Sequence, residues 1–151
     1  MTRPKLPLIL DHEVISEVVS TGDLANDLKV GDRVGVPYLG RTCGQCKSCP
    51  IGKENLCDQP TFADYTHDGG FAEYIVANAA YVFPAPSEFN DVATAPLMCA
   101  GLISYRTYTM VGDARRIGLY GFGSAAHIMA QIARHQDRDF FPFTRLDDRK
   151  G

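Results

Sequence analysis

The sequence predicts an α/β plus β chain, in which an all-β region is followed by a connecting helix and the first β-α-β of a Rossmann-type unit. Three observations support this fold class. Short β-branched and apolar runs, separated by glycine, proline and aspartate, occupy residues 7–83. Apolar residues then recur at helical spacing over residues 97–111. Finally, a glycine-rich turn at residues 121–123 lies between a short strand and an amphipathic helix.

The elements of the first region follow from β propensity and turn residues. Residues 14–19 are β-branched and apolar, and residues 30–36 form a turn that runs into a short strand. Residues 71–76 follow a Gly-Gly pair and are predicted as another strand, and residues 81–86 as a final extended segment. Asn90 is the predicted N-cap of a helix.

The second region alternates helices and strands. Pro96 interrupts the helix that follows Asn90, and the helix over residues 97–111 ends at a Gly-Asp pair. Strands are predicted at residues 116–120 and 140–144, with a helix over residues 124–135 between them. Pro142 is unexpected in the last strand because proline cannot donate a hydrogen bond to a ladder.

Composition excludes several classes of partner. The 151 residues are 45% hydrophobic and 22% charged, which is typical of a soluble globular protein. The net charge of −3 favours neither nucleic acid nor a membrane surface. No stretch approaches the roughly 20 apolar residues of a transmembrane helix, and Pro4 and Pro7 break the short apolar run of a possible leader. We therefore expect a soluble, cytoplasmic protein with no nucleic-acid or membrane partner.

Four of the five cysteines lie close together, with the spacing C-x2-C-x2-C-x7-C. In a reducing cytosol such a cluster more often binds metal than forms disulfides. Four thiolates can surround Zn²⁺ as a tetrahedron with no open position, which is typical of a structural site. Gly44 and Gly52 allow tight turns between the ligands. The predicted zinc ligands are Cys43, Cys46, Cys49 and Cys57.

Two other interpretations of these cysteines stay open. The first three also match the start of an iron–sulfur run, C-x2-C-x2-C-x3-C-Pro. Here the fourth cysteine follows at a longer spacing, and Asp58 comes after it instead of proline. The other interpretation is a pair of disulfides or unliganded thiols. An iron–sulfur or redox module would be recognised by its visible absorption spectrum.

Several motifs together resemble one known family. They are residues 30–36, the cysteine lobe at 43–57 with its Glu-Asn-Leu-Cys-Asp end, residues 68–74, residues 95–101 and residues 118–123. In this order they resemble the zinc-dependent alcohol dehydrogenases of the medium-chain dehydrogenase/reductase superfamily, and the similarity runs over residues 5–145. The chain looks like an internal fragment of such an enzyme.

The resemblance implies a partial catalytic chaperonin-10-like domain with the zinc lobe in residues 1–110, and a truncated dinucleotide-binding Rossmann domain in residues 111–151. It implies an oxidoreductase that transfers a hydride between a small alcohol and NAD(P)⁺, giving an aldehyde or ketone. In that family a catalytic zinc polarises the substrate oxygen as a Lewis acid, and the cofactor carries the hydride. A homo-oligomer is possible for full-length members.

By the same resemblance, the catalytic zinc ligands in this chain are His12 and Cys99, with Glu13 as a neighbouring carboxylate that can approach the metal. Taken alone, His12 would be a surface histidine and Cys99 a small buried hydrophobe. The family's first cysteine ligand lies upstream of this histidine, and no cysteine precedes His12 here. Asp11 also replaces a usual glycine, so His12 is expected to be misplaced if that position needs a glycine-only backbone.

These features predict a zinc-dependent alcohol dehydrogenase that is incomplete as given, with little or no activity in the isolated chain. The alternative is a non-catalytic zinc-binding remnant of a truncated dehydrogenase. Metal content separates the two hypotheses, because a retained catalytic site would add a second zinc to the structural one.

The glycine-rich turn predicts a nucleotide site. Gly121, Gly123 and Ala126 fit G-x-G-x-x-A after a strand and before a helix, a context that brings a pyrophosphate to the helix N-terminus. The alternative is an ordinary strand-to-helix turn.

The end of the last strand bears on the choice of cofactor. An NAD enzyme offers an acidic residue to the ribose about 20 residues after the glycines, whereas this strand ends with Thr144 and Arg145. A hydroxyl and a guanidinium suit a 2′-phosphate, so NADP(H) is favoured over NAD(H). Asp147 and Asp148 keep NAD(H) open as the alternative.

Overall fold

The computed structural model describes residues 3–145. Contacts between residues divide the chain into two compact units, Met1–Cys99 and Ala100–Gly151. The predicted domain boundary between residues 110 and 111 stays a prediction, since a division by contacts does not test where a domain ends. Within the described part of the chain, no helix combines the length and apolar character needed to cross a membrane.

Short strands form the framework of the first unit. They are β1 (Val14–Glu17), β2 (Arg33–Val36), β3 (Leu39–Arg41), β4 (Thr61–Phe62) and β5 (Phe83–Pro84). One antiparallel sheet has the order β1-β2-β5, and β3 pairs with β4 in a second sheet. Val14 lies opposite Val36, and both side chains are buried. The strands predicted at the start of residues 14–19 and at the end of residues 30–36 are confirmed.

A helical segment ends the first unit. Helix α1 (Asp91–Thr94) is followed by a 3₁₀ helix over Ala95–Met98. The Asn90 side chain accepts a hydrogen bond from Ala93 N at 2.9 Å, which confirms the predicted N-cap. Pro96 stands in the first turn of the 3₁₀ helix, where its missing N–H removes no helical hydrogen bond.

The second unit contains a parallel β-α-β arrangement. Its elements are α2 (Ala100–Met110), β6 (Arg116–Tyr120), α3 (Ser124–His135) and β7 (Asp139–Phe143). β6 and β7 pair in parallel, and α3 supplies the crossover that parallel pairing requires. The buried core consists of Tyr108, Ile117, Met129 and Ala133. The predicted bounds of β6 and α3 agree with the structure, whereas α2 begins at Ala100, because residues 95–98 remain in the 3₁₀ helix.

Pro142 fits into β7 because backbone groups alternate in direction along a strand. Asp139 N donates to Arg115 O at 2.8 Å, and Gly121 N donates to Phe143 O at 2.8 Å. Positions 139, 141 and 143 therefore direct their backbone polar groups to β6, while positions 140 and 142 direct theirs to the other edge. Pro142 thus removes no hydrogen bond from the β6–β7 ladder.

The strand predicted over residues 71–76 is wrong. The chain before it binds a loop, since Gly69 N donates to Ile9 O at 2.7 Å. After this contact, residues 71–76 have an irregular backbone and pair with no strand of the described residues. Val76 is 93% exposed. The Gly-Gly pair before this segment predicted a strand, but among residues 3–145 no strand pairs with it.

We predict that Gly69→Ala destabilises the first unit. A Cβ at position 69 would lie 2.0 Å from Asp11 O and 2.6 Å from Leu10 O, and backbone atoms cannot rotate away. The free energy of unfolding in urea should fall by roughly 1–3 kcal/mol, as for other overpacking substitutions. Gly22→Ala is the matched control, because nothing lies within 4 Å of its added Cβ. Equal effects of the two substitutions would contradict the close approach as the cause.

Candidate functional site

The four cysteines of the lobe form a compact cage. Their Sγ atoms all lie within 4.8 Å of one another. The sulfurs of Cys43 and Cys57 are 3.5 Å apart, and those of Cys46 and Cys49 are also 3.5 Å apart. All four thiols are free in the structure.

Tight turns bring these sulfurs together. Cys49 begins a 3₁₀ helix (Cys49–Ile51) that ends at Gly52, whose φ of 69° lies in the left-handed region. Gly44 has a φ of 72°. Both glycines therefore have the role that the sequence predicts for them, since this region favours a residue without a Cβ. A second 3₁₀ helix (Glu54–Leu56) leads directly into the last cysteine.

Backbone N–H groups surround the sulfurs and favour their ionised form. Cys46 N lies 3.4 Å from Cys43 Sγ. Hydrogen bonds from the backbone of Asp58, and then of Cys49 and Ser48, lower the pKa of the Cys46 thiol to about 6. The thiolate is the form that binds a metal, so the backbone prepares this position for a cation.

Cys49 has the opposite tendency. The Thr42 hydroxyl lowers its pKa, but burial and hydrogen bonding with Cys46 and Cys57 outweigh this effect and raise the pKa to about 11. Cys49 is therefore the thiol of the lobe that loses its proton least readily. A metal that takes all four thiolates must displace that proton, which couples binding to proton release.

The size of the cage fits one zinc ion. With Zn–S bonds of about 2.3 Å, a tetrahedron places its sulfurs about 3.8 Å apart, which agrees with sulfurs that lie within 4.8 Å and with pairs at 3.5 Å. An iron–sulfur cluster holds several metal ions and bridging sulfides, so its thiolates need a wider cage. The geometry favours zinc over the iron–sulfur and disulfide interpretations.

His12 precedes β1 and contacts a carboxylate that lies far away in the sequence. His12 Nδ1 lies 2.9 Å from Asp64 Oδ2, and the two side chains are 31% and 22% exposed. The edge of the His12 ring also meets the Tyr38 ring, with the centroids 5.1 Å apart. Tyr38 in turn stacks on Phe62 at 4.5 Å. The histidine ring is therefore held by a hydrogen bond and by an aromatic neighbour.

Asp64 and Tyr38 are not predicted from the sequence as site residues. Asp64 is 52 positions from His12, and no spacing rule connects them. The one local signal is that Asp64 follows a short strand in a turn, where aspartate tolerates a left-handed backbone. Burial first, and then the charges of Tyr65, Asp64 and Cys99, raise the pKa of Tyr38.

Cys99 lies beside Glu13. Burial raises the pKa of the Cys99 thiol, and the charge of Glu13 and a hydrogen bond to its carboxylate raise it further. Met98 explains how the cysteine reaches this position. Its side chain packs against Gly35 of β2, where a Cβ would lie 2.2 Å from Met98 Sδ. The 3₁₀ helix over Ala95–Met98 therefore lies on the sheet and ends beside β1.

These residues occur as two pairs, Asp64–His12 and Glu13–Cys99. Over residues 3–145, the lobe cysteines form the only group of three or more histidine, cysteine, aspartate or glutamate side chains that could hold a metal ion. Imidazole, carboxylate and thiol are donors that zinc accepts, but the described residues do not by themselves complete a three-ligand catalytic site.

Asp11 adopts the backbone conformation that glycine favours, with a φ of 91°. Its Oδ1 accepts a hydrogen bond from Glu13 N at 2.9 Å, which compensates part of the backbone strain. Asp11 thus has the backbone conformation under which the sequence predicts a misplaced His12, and that displacement stays a prediction.

The glycine-rich turn lies at the carboxyl end of β6. Gly121 has a φ of 93°, and Gly123 directly precedes α3. A cavity of about 390 Å³ opens beside them, lined in part by Tyr120, Ser124 and Ala126. A strand, this turn and a helix are the context that the dinucleotide fingerprint requires. The assignment of Gly121, Gly123 and Ala126 to a cofactor stays a prediction.

Thr144 and Arg145 directly follow β7 and are exposed. Because β6 and β7 are parallel and in register, these two residues and the glycine turn both lie at the carboxyl end of the strands. Asp147 and Asp148, on which the NAD(H) alternative depends, lie outside the described residues.

Comparisons with known proteins agree with this architecture. A family profile described as "Alcohol dehydrogenase GroES-like domain" matches residues 1–87. A curated relative from Mycobacterium tuberculosis, named "Probable alcohol dehydrogenase AdhA", is 42% identical over 145 residues. The match covers 91% of this chain but 42% of the relative, so the chain spans less than half the length of that protein.

Solved structures have the same fold. The CAD protein of Helicobacter pylori, complexed with NADP(H), has a TM-score of 0.86 and 25% identity, covering 97% of this chain and 46% of that one. The alcohol dehydrogenase rspB of Escherichia coli, complexed with NADH, has a TM-score of 0.82 and 27% identity. That match covers 96% of this chain and 44% of rspB.

We predict that Cys57→Ser abolishes tight zinc binding by the lobe, because three thiolates leave the tetrahedron open. Zinc content after dialysis, measured by mass spectrometry of the metal, should fall by about one ion per chain. Cys99→Ser is the matched control and should keep the zinc of the lobe. Retention of zinc in Cys57→Ser would show that the cage is not the binding site.

Proposed function

The chain belongs to the alcohol dehydrogenase family with a GroES-like domain, and we propose from this premise that it is part of a zinc-dependent, NAD(P)-linked alcohol dehydrogenase. The reaction is hydride transfer between a small alcohol and NAD(P)⁺, with an aldehyde or ketone as product. One observation carries the proposal. A closed four-cysteine cage in the first unit and a glycine turn in a parallel β-α-β of the second occur in one chain.

In this proposal the zinc of the lobe is structural. Four cysteines leave no open position for a substrate. The ion would replace the apolar core that the lobe lacks, since Ile51 and Leu56 beside the cysteines are 64% and 55% exposed. Binding free energy of the metal then stabilises the folded lobe directly.

The second unit would bind the nicotinamide cofactor. Gly121 and Gly123 allow a pyrophosphate to approach the backbone N–H groups at the start of α3. Thr144 and Arg145 lie at the same edge of the sheet and suit a ribose 2′-phosphate, which supports NADP(H) over NAD(H). One structural relative is complexed with NADP(H) and another with NADH, so both cofactors occur among the relatives.

His12, Glu13 and Cys99 would face the reacting alcohol. The cofactor carries the hydride when it is bound. The second ring nitrogen of His12, which does not contact Asp64, would be available to a ligand, and the Cys99 thiol would donate a hydrogen bond to the Glu13 carboxylate. We also propose a cytoplasmic location and assembly of the full-length protein as a homo-oligomer.

Arg145→Gln tests the choice of cofactor. We predict that it weakens binding of NADPH about tenfold, because a charge-assisted contact to a phosphate is worth about 1.5 kcal/mol or more. Binding of NADH should change little, since NADH lacks that phosphate. Nicotinamide fluorescence titrations of the purified chain measure both affinities. An equal loss for the two cofactors would contradict a 2′-phosphate contact.

A second candidate function is a zinc-binding remnant without catalysis. It is favoured by one observation, which is that His12, Glu13 and Cys99 do not gather into a group of three. We predict one zinc ion per chain and no alcohol-dependent reduction of NADP⁺ for a remnant, whereas a second zinc ion per chain would show that the catalytic site is retained. Metal analysis and absorbance of the reduced nicotinamide, with a series of small alcohols, distinguish the two.

A further inference from the structure

We propose that Ser104 is a positioning residue for the glycine-rich turn, because its buried hydroxyl ties the start of α3 to α2. This bond would fix the helix start at which Gly121 and Gly123 admit a pyrophosphate. The inference deepens the proposed function, since it rests on a nicotinamide cofactor bound by the second unit. It adds a residue of α2 that the glycine motif does not include.

Ser104 is a buried polar residue between two helices. It is 1% exposed, and its Oγ donates to Ala125 O of α3 at 2.9 Å. The same hydroxyl contacts Ala100 O, one turn earlier in α2. Carbonyl oxygens only accept hydrogen bonds, so the hydroxyl is the donor to both and forms a three-centre bond. One serine thus joins the two helices.

The bond to a second helix sets this hydroxyl apart from the others of α2. A helical serine or threonine ordinarily bonds a carbonyl of its own helix. Thr107 and Thr109 do so, since they donate to Ile103 O at 2.8 Å and to Arg106 O at 2.7 Å. Alanine in place of Ser104 would fill nearly the same space without burying a polar group, which costs free energy unless it is bonded. The acceptor in α3 therefore gives Ser104 a role outside its own helix.

The bonded carbonyl of Ala125 lies in the first turn of α3, directly after the glycine-rich turn. His127 N donates to Gly123 O at 3.0 Å and closes this first helical turn. Ser104, Gly121 and Gly123 all line the cavity of about 390 Å³ beside it. Any shift of the helix start would therefore change the wall of this cavity.

The space in front of the glycine-rich turn fits a ligand that approaches the backbone. Among the described residues, nothing lies within 4 Å of a Cβ placed on Gly121 or Gly123. Gly123 has a φ of −89°, which any residue adopts, so its own backbone does not require glycine. A side chain there would fill the space through which a pyrophosphate reaches the N–H groups at the helix start. The residues present therefore fit the phosphate part of a dinucleotide.

A second hydroxyl of α2 holds the other end of α3. Tyr108 lies one turn after Ser104 on the same face of α2, and it is 4% exposed. Its hydroxyl donates to Gln136 Oε1 at 2.9 Å, directly after the last residue of α3. Both bonds join the same two helices, but only the Ser104 bond lies beside the glycine-rich turn. The two hydroxyls therefore offer a matched pair for an experiment.

Cofactor binding by matched variants tests the proposal. Ser104→Ala removes the bond at the start of α3, and Tyr108→Phe removes the bond at its end. Nicotinamide fluorescence titrations of the purified chain measure the affinities for NADPH and NADH. We expect Ser104→Ala to weaken both by about 3–10-fold, the range of one lost hydrogen bond, because both cofactors carry the pyrophosphate. Tyr108→Phe should leave both affinities unchanged.

Amide hydrogen exchange in the cofactor-free chain supplies a second readout. Exchange of the His127 amide, which bonds Gly123 O, should accelerate in Ser104→Ala but not in Tyr108→Phe. Thr109→Ala is the control, because the Thr109 hydroxyl bonds only its own helix. This control should change neither the cofactor affinities nor the exchange of the His127 amide.

Specific results would overturn the proposal. Unchanged cofactor affinities in Ser104→Ala would do so, and an equal loss in Tyr108→Phe would show an effect of helix packing alone. A loss confined to Ser104→Ala supports the proposal even when alcohol-dependent reduction of NADP⁺ is absent, and then only the dehydrogenase activity fails. An unmodified chain that binds neither cofactor would overturn this proposal together with the cofactor site of the proposed function.

Discussion

A close approach of two loops organises the first unit. Gly70 N donates to Asp11 O at 3.0 Å, and a Cβ on Gly70 would lie 2.8 Å from Asp11 Oδ2. Glycine is needed at the neighbouring position 69, where a Cβ would lie 2.0 Å from Asp11 O, a backbone atom that cannot move aside. The contact holds Asp11 in a left-handed conformation, and from there its side chain accepts Glu13 N. These backbone contacts therefore hold the segment that carries His12 and Glu13.

The cysteine lobe and the β-α-β unit could be predicted because their determinants are local. The sulfur cage follows from cysteine spacing and from Gly44 and Gly52, and the bounds of α3 follow from periodicity. Asp64 could not be predicted, because its role depends on a contact across 52 positions. The strand predicted over residues 71–76 was wrong because strand formation also depends on pairing with a distant segment. Turn residues before a segment of strand-forming residues indicate that it suits a sheet, but only the tertiary structure supplies a strand to pair with.

Two aspartates with a left-handed backbone conformation, Asp11 and Asp64, contact the loop that carries His12. An aspartate in a left-handed conformation costs free energy that a glycine does not. Asp11 and Asp64 both carry this cost, and each offsets part of it with a hydrogen bond. Asp11 accepts from Glu13 N, and Asp64 contacts the His12 ring. Asp11 and Asp64 thus place carboxylates beside the His12 segment at some cost in backbone strain. Their contacts hold this segment although the described residues form no three-ligand site around His12.

The two candidate metal sites also differ in how folding specifies them. The lobe ligands lie within residues 43–57, and closing such short loops costs little conformational entropy. Glu13 and Cys99 come from opposite ends of the first unit's sequence, and they meet because Met98 packs on Gly35 of the central strand. Any change that opens this sheet separates the second pair but leaves the spacing of the cysteines intact. A dehydrogenase and a remnant would therefore share the same lobe, whereas the contact between Glu13 and Cys99 depends on the integrity of the β1–β2 sheet.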